Sequence, residues 1–173
     1  MRDASKIIAK NKLLKQQRIK NFPNSFGNGY LMTEKSFQQC DFGYAKFTES
    51  KFLNINFCKC IFRKTVFHSE TSFELCEFSE NTDFTGASFC GSIMKNIIFG
   101  SKSVFSEVNL GMVPLPSDRT KFQSNSLCIF VGCIWEQRCK FVNINAYEGI
   151  TIMRSSFYRS CVFYDIKYCI TDG

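Results

Sequence analysis

The chain of 173 residues is 45% hydrophobic and contains 20 Phe but one Trp, which fits a single domain with a sizeable core. Seven of the 22 basic residues and one of the 15 acidic residues lie in the first 20 positions, so residues 21–173 are nearly neutral, with 15 basic and 14 acidic side chains. No run of 18 apolar residues and no secretory hydrophobic region occurs, so neither a transmembrane segment nor a secretory leader is expected.

Residues 1–20 are predicted to form a basic arm. Ile7, Ile8 and Leu14 fall roughly on one face of a helix over residues 3–20. Three roles stay open: a solvated tail, a segment that docks on a partner protein or an acidic surface such as RNA, and an organelle-targeting segment. A helix lying on a membrane is disfavoured, since no Trp or Phe anchors the apolar face. The candidate partner-binding residues of the arm are Lys6, Lys10, Lys12, Lys15, Arg18 and Lys20.

The segment 21–36 is rich in turn-forming residues and is predicted to be a linker or an N-terminal cap. It contains Gly27 and Gly29, but neither a further glycine nor a Lys-Ser/Thr pair follows at the spacing of a phosphate-binding loop. We therefore expect no nucleotide site here.

From Phe37 onwards, Phe recurs every five residues, with occasional single-residue insertions. A period of five fits neither an α-helix nor a flat strand, so it indicates a repeated unit that turns a corner every five residues. A small or modest residue lies two positions before each Phe, as Cys40 does before Phe42, and a residue that is often polar separates the two. Each unit thus offers one large and one small inward side chain. The predicted structural core is Phe42, Phe47, Phe52, Phe57, Phe62, Phe67, Phe73, Phe78, Phe84, Phe89, Phe99 and Phe105.

The units Cys40-Asp41-Phe42, Thr82-Asp83-Phe84 and Val108-Asn109-Leu110 resemble those of the pentapeptide-repeat family, which read small residue, Asp or Asn, Leu or Phe, then two variable residues. The resemblance is clean over about 37–110 and departs from the family in its strong preference for Phe. It implies an all-β fold, a right-handed quadrilateral β-helix with four units per coil, over residues 37–173. Coils roughly 4.8 Å apart would stack equivalent Phe rings into buried columns.

The repeat is interrupted over residues 111–121, where Pro114 and Pro116 and the run Pro-Ser-Asp-Arg indicate a loop. In some members of the family such a loop contacts the partner, so by resemblance this loop is a second candidate for recognition; a passive insertion is an equal alternative. Its candidate residues are Pro114, Pro116, Asp118 and Arg119.

The rhythm returns in degenerate form after the loop, beyond Phe122. Each later unit again pairs a small or aliphatic residue with a larger one two positions on. The predicted centres of these units are Phe130, Trp135, Phe141, Ile152, Phe157, Phe163 and Tyr168.

Seven of the ten cysteines take the small inward position and are predicted to be buried, reduced thiols. They are Cys40, Cys60, Cys76, Cys128, Cys133, Cys139 and Cys161. Reduced thiols favour an intracellular, reducing compartment, cytoplasmic or organellar. A disulfide or metal site between Cys40 and Cys60 stays open because the two should stack on one face. No Cys-x-x-Cys pair supports a zinc site, however, and no cofactor is expected.

No arrangement of residues typical of an active site is found. The single histidine, His68, follows Phe67 and should lie on the outer surface, away from any organised catalytic triad. A mild acidic stretch is predicted to be solvated rather than to form an acid–base pair in a cleft. This stretch comprises Glu70, Glu74, Glu77 and Glu80. We therefore expect no enzymatic activity.

The sequence favours a non-catalytic protein-binding or scaffold subunit whose solenoid presents rigid faces and whose arm and loop hold it in a larger complex. One alternative is a topoisomerase-interacting protein, similar to the quinolone-resistance branch of the family, whose members imitate DNA. The nearly neutral charge of residues 21–173 opposes imitation of DNA, whereas a continuous acidic face would support it. Another is nucleic-acid binding through the arm, with an affinity that falls with salt. The sequence leaves open whether the end at residues 168–173 is capped or pairs with a second copy.

Overall fold

The computed structural model describes residues 13–15, 31–47, 49–67, 70–110, 128–146 and 150–168. These segments form short parallel strands, and none of them contains a helix that could cross a bilayer. The strands, in chain order, are β1 (Leu13–Lys15), β2 (Leu31–Thr33), β3 (Ser36–Gln38), β4 (Lys46–Phe47), β5 (Lys51–Leu53), β6 (Asn56–Cys58), β7 (Val66–Phe67), β8 (Ser72–Glu74), β9 (Glu77–Phe78), β10 (Ile93–Lys95), β11 (Ile98–Phe99), β12 (Val104–Ser106), β13 (Cys128–Val131), β14 (Ile134–Trp135), β15 (Lys140–Ala146), β16 (Ile150–Met153), β17 (Ser156–Phe157) and β18 (Val162–Tyr168).

Every fourth unit lies on the same side of the chain, which gives four faces. We call the large inward residue of each unit its centre. The centres of face I are Met32, Phe52, Phe73, Met94, Phe130 and Ile152. The centres of face II are Phe37, Phe57, Phe78, Phe99, Trp135 and Phe157. The centres of face III are Phe42, Phe62, Phe84, Phe105, Phe141 and Phe163. The centres of face IV are Phe47, Phe67, Phe89, Leu110 and Ala146, and Tyr168 is the strand partner of Ala146 in the following layer.

Each coil supplies one centre to every face, and we call it a layer, numbered from the N-terminal end. Face I is a six-stranded sheet, with one strand from each layer, and its order is β16-β13-β10-β8-β5-β2. The strands pair in parallel with the layers above and below, as a solenoid requires. The predicted right-handed quadrilateral β-helix is confirmed.

The core of the solenoid consists of stacked Phe rings. Within a face the rings lie nearly parallel, with centroids 4.8 Å apart for Phe42 and Phe62 and 4.9 Å for Phe57 and Phe78. Rings on adjacent faces meet edge to face, as Phe57 and Phe62 do at 5.2 Å and 82°. Both geometries suit the aromatic quadrupole, and the parallel spacing matches the distance between hydrogen-bonded strands. All twelve Phe residues of the predicted core are at most 3% exposed.

The corners of the solenoid depend on residues in the left-handed backbone region. In five-residue units this residue lies two positions after the centre, as Asn54 and Lys59 do with φ of 54° and 52°. Where one residue is inserted, the left-handed residue lies three positions after the centre, as Asn81 and Lys102 do. The insertion therefore widens a corner and leaves the inward register of the next unit unchanged.

The small inward position is often polar because its side chain satisfies a corner carbonyl. Thr65 Oγ1 donates to Phe42 O at 2.9 Å, and Ser103 Oγ donates to Gly100 O at 2.7 Å. The Asp typical of the repeat acts on the outside, since Asp83 Oδ1 accepts a hydrogen bond from the Thr85 backbone N–H at 2.9 Å. These bonds pair backbone groups that the tight corners leave outside the strand ladder.

The N-terminal segments differ from the sequence prediction. Leu13–Lys15 is a strand that pairs in parallel with β3, so the helix predicted over residues 3–20 is wrong at these three residues. The edge of β3 offers unpaired backbone groups, and pairing there outweighs a weak helical pattern. Strands of the solenoid also begin at Leu31, inside the segment 21–36, with Met32 only 1% exposed.

The units beyond the loop follow the predicted register. Phe130 pairs with Met94, Trp135 with Phe99 and Phe141 with Phe105, each at the same position of the unit. One centre was not predicted: Ala146 occupies face IV, where earlier layers have Phe or Leu.

Six of the seven inward cysteines are buried among the rings as predicted, and Cys161 is half-buried. These thiols donate weak hydrogen bonds to backbone carbonyls. Cys60 Sγ lies 3.5 Å from Phe37 O, and Cys133 Sγ lies 3.4 Å from Met94 O. Burial raises the pKa of Cys76 and of Cys133 to about 11 in each case. These thiols are therefore poor nucleophiles in the folded chain.

Replacing a central ring should destabilise the solenoid far more than replacing an outward apolar residue. Phe78→Ala removes a ring that stacks on Phe57 and Phe99, so we expect a loss of about 3–5 kcal/mol in the free energy of unfolding. Ile61→Ala is the control, because Ile61 is 39% exposed and should cost about 0.5 kcal/mol or less. Denaturant titration measures both, and equal losses would contradict the layered core.

Alkaline pH should weaken the fold through the buried thiols. The pKa of Cys76 is about 11 in the folded chain against an ordinary 9.0, so its contribution is complete below pH 9 and is lost as the pH rises toward 11. We expect Cys76→Ala to reduce this alkaline loss by on the order of 2 kcal/mol, measured by denaturant titration across pH. Ile61→Ala, which removes no ionisable group, serves as the control and should leave the loss unchanged.

Candidate partner-binding surfaces

Most of the predicted partner-binding residues lie outside the described segments. Lys15 ends β1, at the N-terminal end of the solenoid. The others are Lys6, Lys10, Lys12, Arg18, Lys20, Pro114, Pro116, Asp118 and Arg119, and with His68 they fall outside the part of the chain that the structure describes. The roles of the arm and the loop therefore stay predictions.

An apolar row runs along the corner between faces I and II. In layers 2 to 4, Leu53, Leu75 and Ile98 line one shallow groove and are 37%, 55% and 37% exposed. In layers 5 and 6, the row continues with half-buried outward residues and the exposed Met153. We call this row the apolar edge; its members are Leu53, Leu75, Ile98, Val131, Ile134 and Met153.

The apolar edge follows from the strand geometry. Residues one position before or after a centre point outward, and so does Leu75 at the corner two positions after Phe73, so none of them contributes to the ring core. Val131 pairs with Met153 and Ile98 pairs with Ile134, which aligns apolar side chains in layers 4 to 6. In layer 3 the strand partners of Leu53 and Ile98 are Glu74 and Glu77, so charged side chains interrupt the edge there. Sequence reasoning missed this surface because it followed the inward positions; the signal was the aliphatic residues at outward positions of successive units.

The charged residues are arranged in bands across the solenoid axis. The acidic band in layer 3 comprises Glu70, Glu74, Glu77, Glu80 and Asp83. The basic band in layer 2 comprises Lys51, Lys59, Arg63 and Lys64. Five of the eleven described acidic residues therefore lie in layer 3. Along the solenoid axis, Glu74 is flanked by Leu53 and Lys95, and Glu77 by Asn56 and Ile98, so these glutamates do not continue as an acidic stripe.

Ion pairs join the acidic band to the layers on either side. Arg63 Nε lies 2.6 Å from Asp83 Oδ2, and Lys95 Nζ lies 2.8 Å from Glu74 Oε1. Burial opposes ionisation of Asp83, but hydrogen bonds from Thr85 and Arg63 outweigh it and lower the pKa of the carboxyl. The stretch predicted to be solvated thus carries partly exposed glutamates with basic neighbours, an arrangement suited to fixing the alignment of layers.

The last layer exposes residues that are buried in every earlier layer. Ile152 is 44% exposed, Phe157 is 39% and Phe163 is 52%, whereas Trp135 beneath Phe157 is 1% exposed. Ring stacking nevertheless continues to the end, with Trp135 and Phe157 4.3 Å apart. The last described layer therefore presents an apolar surface with the shape of a solenoid core in cross-section.

Comparisons with known proteins agree with this geometry. The family model described as pentapeptide repeats matches in eight copies, with residues 40–69 matched. A trypsin-treated variant of QnrB1, a plasmid-mediated fluoroquinolone resistance protein, is similar with a TM-score of 0.56 and 16% identity over 86% of this chain and 70% of that chain. Full-length QnrB1 is similar with a TM-score of 0.52 and 14% identity over 92% of this chain and 85% of that chain.

A further solved structure is the pentapeptide-repeat protein Rfr23 from the cyanobacterium Cyanothece 51142, with a TM-score of 0.40 and 12% identity over 87% of this chain and 84% of that chain. None of the curated proteins matches the chain. At these identities the two QnrB1 structures share the fold with this chain, and the likeness extends no further.

Proposed function

Because this chain belongs to the pentapeptide-repeat family, we propose that it is a non-catalytic scaffold that binds a partner protein along the apolar edge. The observation that carries this proposal is the group of aliphatic side chains that shares one shallow groove on this corner, with Leu75 55% exposed. Clustered exposed apolar side chains bordered by polar residues are typical of protein interfaces. The rigid ring core supports this surface without rearrangement, which lowers the entropic cost of binding.

The basic arm and the loop anchor the scaffold in this proposal. Strand β1 pairs Leu13–Lys15 with β3 in the first layer, whereas the apolar edge lies in layers 2 to 6. The arm supplies long-range attraction toward an acidic partner surface, and the loop at residues 111–121 adds specific contacts. The buried thiols favour a reducing intracellular compartment for the complex.

Imitation of DNA is the less favoured alternative. It requires acidic groups repeated along one face, in the manner of phosphates along a duplex. The acidic residues of layer 3 instead form a band, and basic residues such as Arg63 and Lys95 pair with them from the adjacent layers. Binding of nucleic acid by the arm is the other alternative, and its expected sign is an affinity that falls steeply with salt.

Capture of partners from native cells tests the scaffold proposal. The intact chain should retain a defined set of proteins after nuclease treatment, and deletion of residues 1–20 should weaken that retention. Leu75→Glu should abolish it, because a charge would have to be buried in the interface. Ile61→Glu is the matched control, since Ile61 is 39% exposed on face III and should leave retention intact. Association that nuclease removes entirely would refute the scaffold role and favour nucleic-acid binding.

We also propose that two copies pack end to end through the exposed last layer. Burying Ile152, Phe157 and Phe163 against a second copy would remove their apolar surface from water. Phe163→Glu should convert the dimer to a monomer in sedimentation equilibrium. Tyr164→Glu is the control, because Tyr164 is 68% exposed at an outward position of the same strand. A wild-type chain that stays monomeric at high concentration would exclude the dimer and leave the scaffold role untouched.

A further inference from the structure

An apolar funnel opens at the last layer and runs down the solenoid axis. Its volume is about 220 Å³. The floor is formed in layer 4 by Phe105, Val108 and Leu110, the wall in layer 5 includes Trp135, and the rim in layer 6 includes Phe163. The floor lies two strand spacings below the rim, which is roughly 10 Å.

The funnel exists because one ring column is incomplete. Face IV has Phe47, Phe67 and Phe89 in layers 1 to 3, then Leu110 in layer 4 and Ala146 in layer 5. Each replacement removes side-chain volume, while the rings of the other faces hold the backbone at constant spacing. Leu110 and Ala146 are each 8% exposed, whereas Phe89, the face IV centre of layer 3 below the floor, is fully buried. Solvent therefore reaches the floor from the open end.

The lining determines what the funnel can hold. All thirteen described residues that line it are apolar, and none brings a charge. Water is held poorly in such a site because it needs two to four polar partners. The Nε1 atom of Trp135 is also buried without a hydrogen-bond partner among the described residues. An engineered cavity of about 150 Å³ with a similar lining stays dry and binds benzene.

We propose that the funnel is a binding site for a neutral, apolar molecule of about the size of one aromatic ring. The ligand occupies the space that a face IV ring would fill and stacks among the rings of the other faces. This inference goes beyond the scaffold function, which uses the apolar edge and none of the funnel residues. The end-to-end dimer shares only Ile152, Phe157 and Phe163 with the funnel. A second copy packed on the last layer would cover these residues at the mouth, whereas Leu110 at the floor lies two strand spacings below.

The single tryptophan gives a direct measurement, because Trp135 lines the funnel and no other Trp contributes to the fluorescence. Iodobenzene quenches indole fluorescence on contact, so we expect saturable quenching of the full-length chain. Toluene should compete and restore the emission, whereas 4-iodobenzoate should quench only in a non-saturable, collisional manner because its charge would be buried. Absence of saturable quenching, or failure of toluene to reverse it, would overturn the proposal.

Filling the funnel locates the binding site. Ala146→Phe rebuilds the missing ring and should abolish saturable quenching, while Lys140→Phe adds the same side chain at an exposed position of the same strand and should retain it. Circular dichroism checks that each variant is folded. Leu110→Phe fills the funnel from its floor and replaces Ala146→Phe if that variant unfolds. Quenching that survives in a folded, filled variant would show that the ligand binds elsewhere.

Discussion

Parallel stacking of Phe rings at the spacing of hydrogen-bonded strands is the interaction on which the rest of this structure depends. Ring centroids within a column lie 4.4 Å apart for Phe52 and Phe73 and 5.4 Å for Phe78 and Phe99, which brackets the strand spacing. One backbone geometry thus satisfies the ladder of hydrogen bonds and the contacts of the core together. This agreement explains why Phe is repeated where most cores mix several aliphatic residues.

The proposed binding surfaces of the molecule lie where this constraint is relaxed. Outward positions are free to vary, and on one corner they form the apolar edge, with Leu75 and Ile98 exposed. The Phe column of face IV ends above layer 3, and the missing rings at Leu110 and Ala146 leave the funnel. Phe163 in the last described layer is 52% exposed, so the described stack presents an apolar surface there. Rigid inward packing and variable outward chemistry together suit a binding scaffold.

Much of the fold was predictable from the sequence, because a period of five allows few structures and the inward residues are nearly uniform. The features that the sequence did not predict share a cause, because none of them shows in the local pattern of Phe residues. Ala146 and Met32 occupy centres without being Phe, so their units did not show in the pattern. Strand β1 forms by pairing with an existing edge, which local helical periodicity does not report. The apolar edge and the funnel arise from positions in different layers, and their proximity appears only when the coils are stacked.

Deletion of one whole layer tests the stacking account most directly. Removing residues 53–73 joins Phe52 directly to Glu74, so Phe52 takes the place of its strand partner Phe73. Every later centre then keeps its face and stacks one layer lower. The account predicts that this shortened chain keeps its β-sheet circular dichroism and unfolds cooperatively, with a modest loss of stability. Removing residues 53–70 leaves Phe52 three positions before Phe73 and should destroy the fold. Unfolding of both deletions, or equal tolerance of both, would contradict the claim that the stacked ring columns determine this structure.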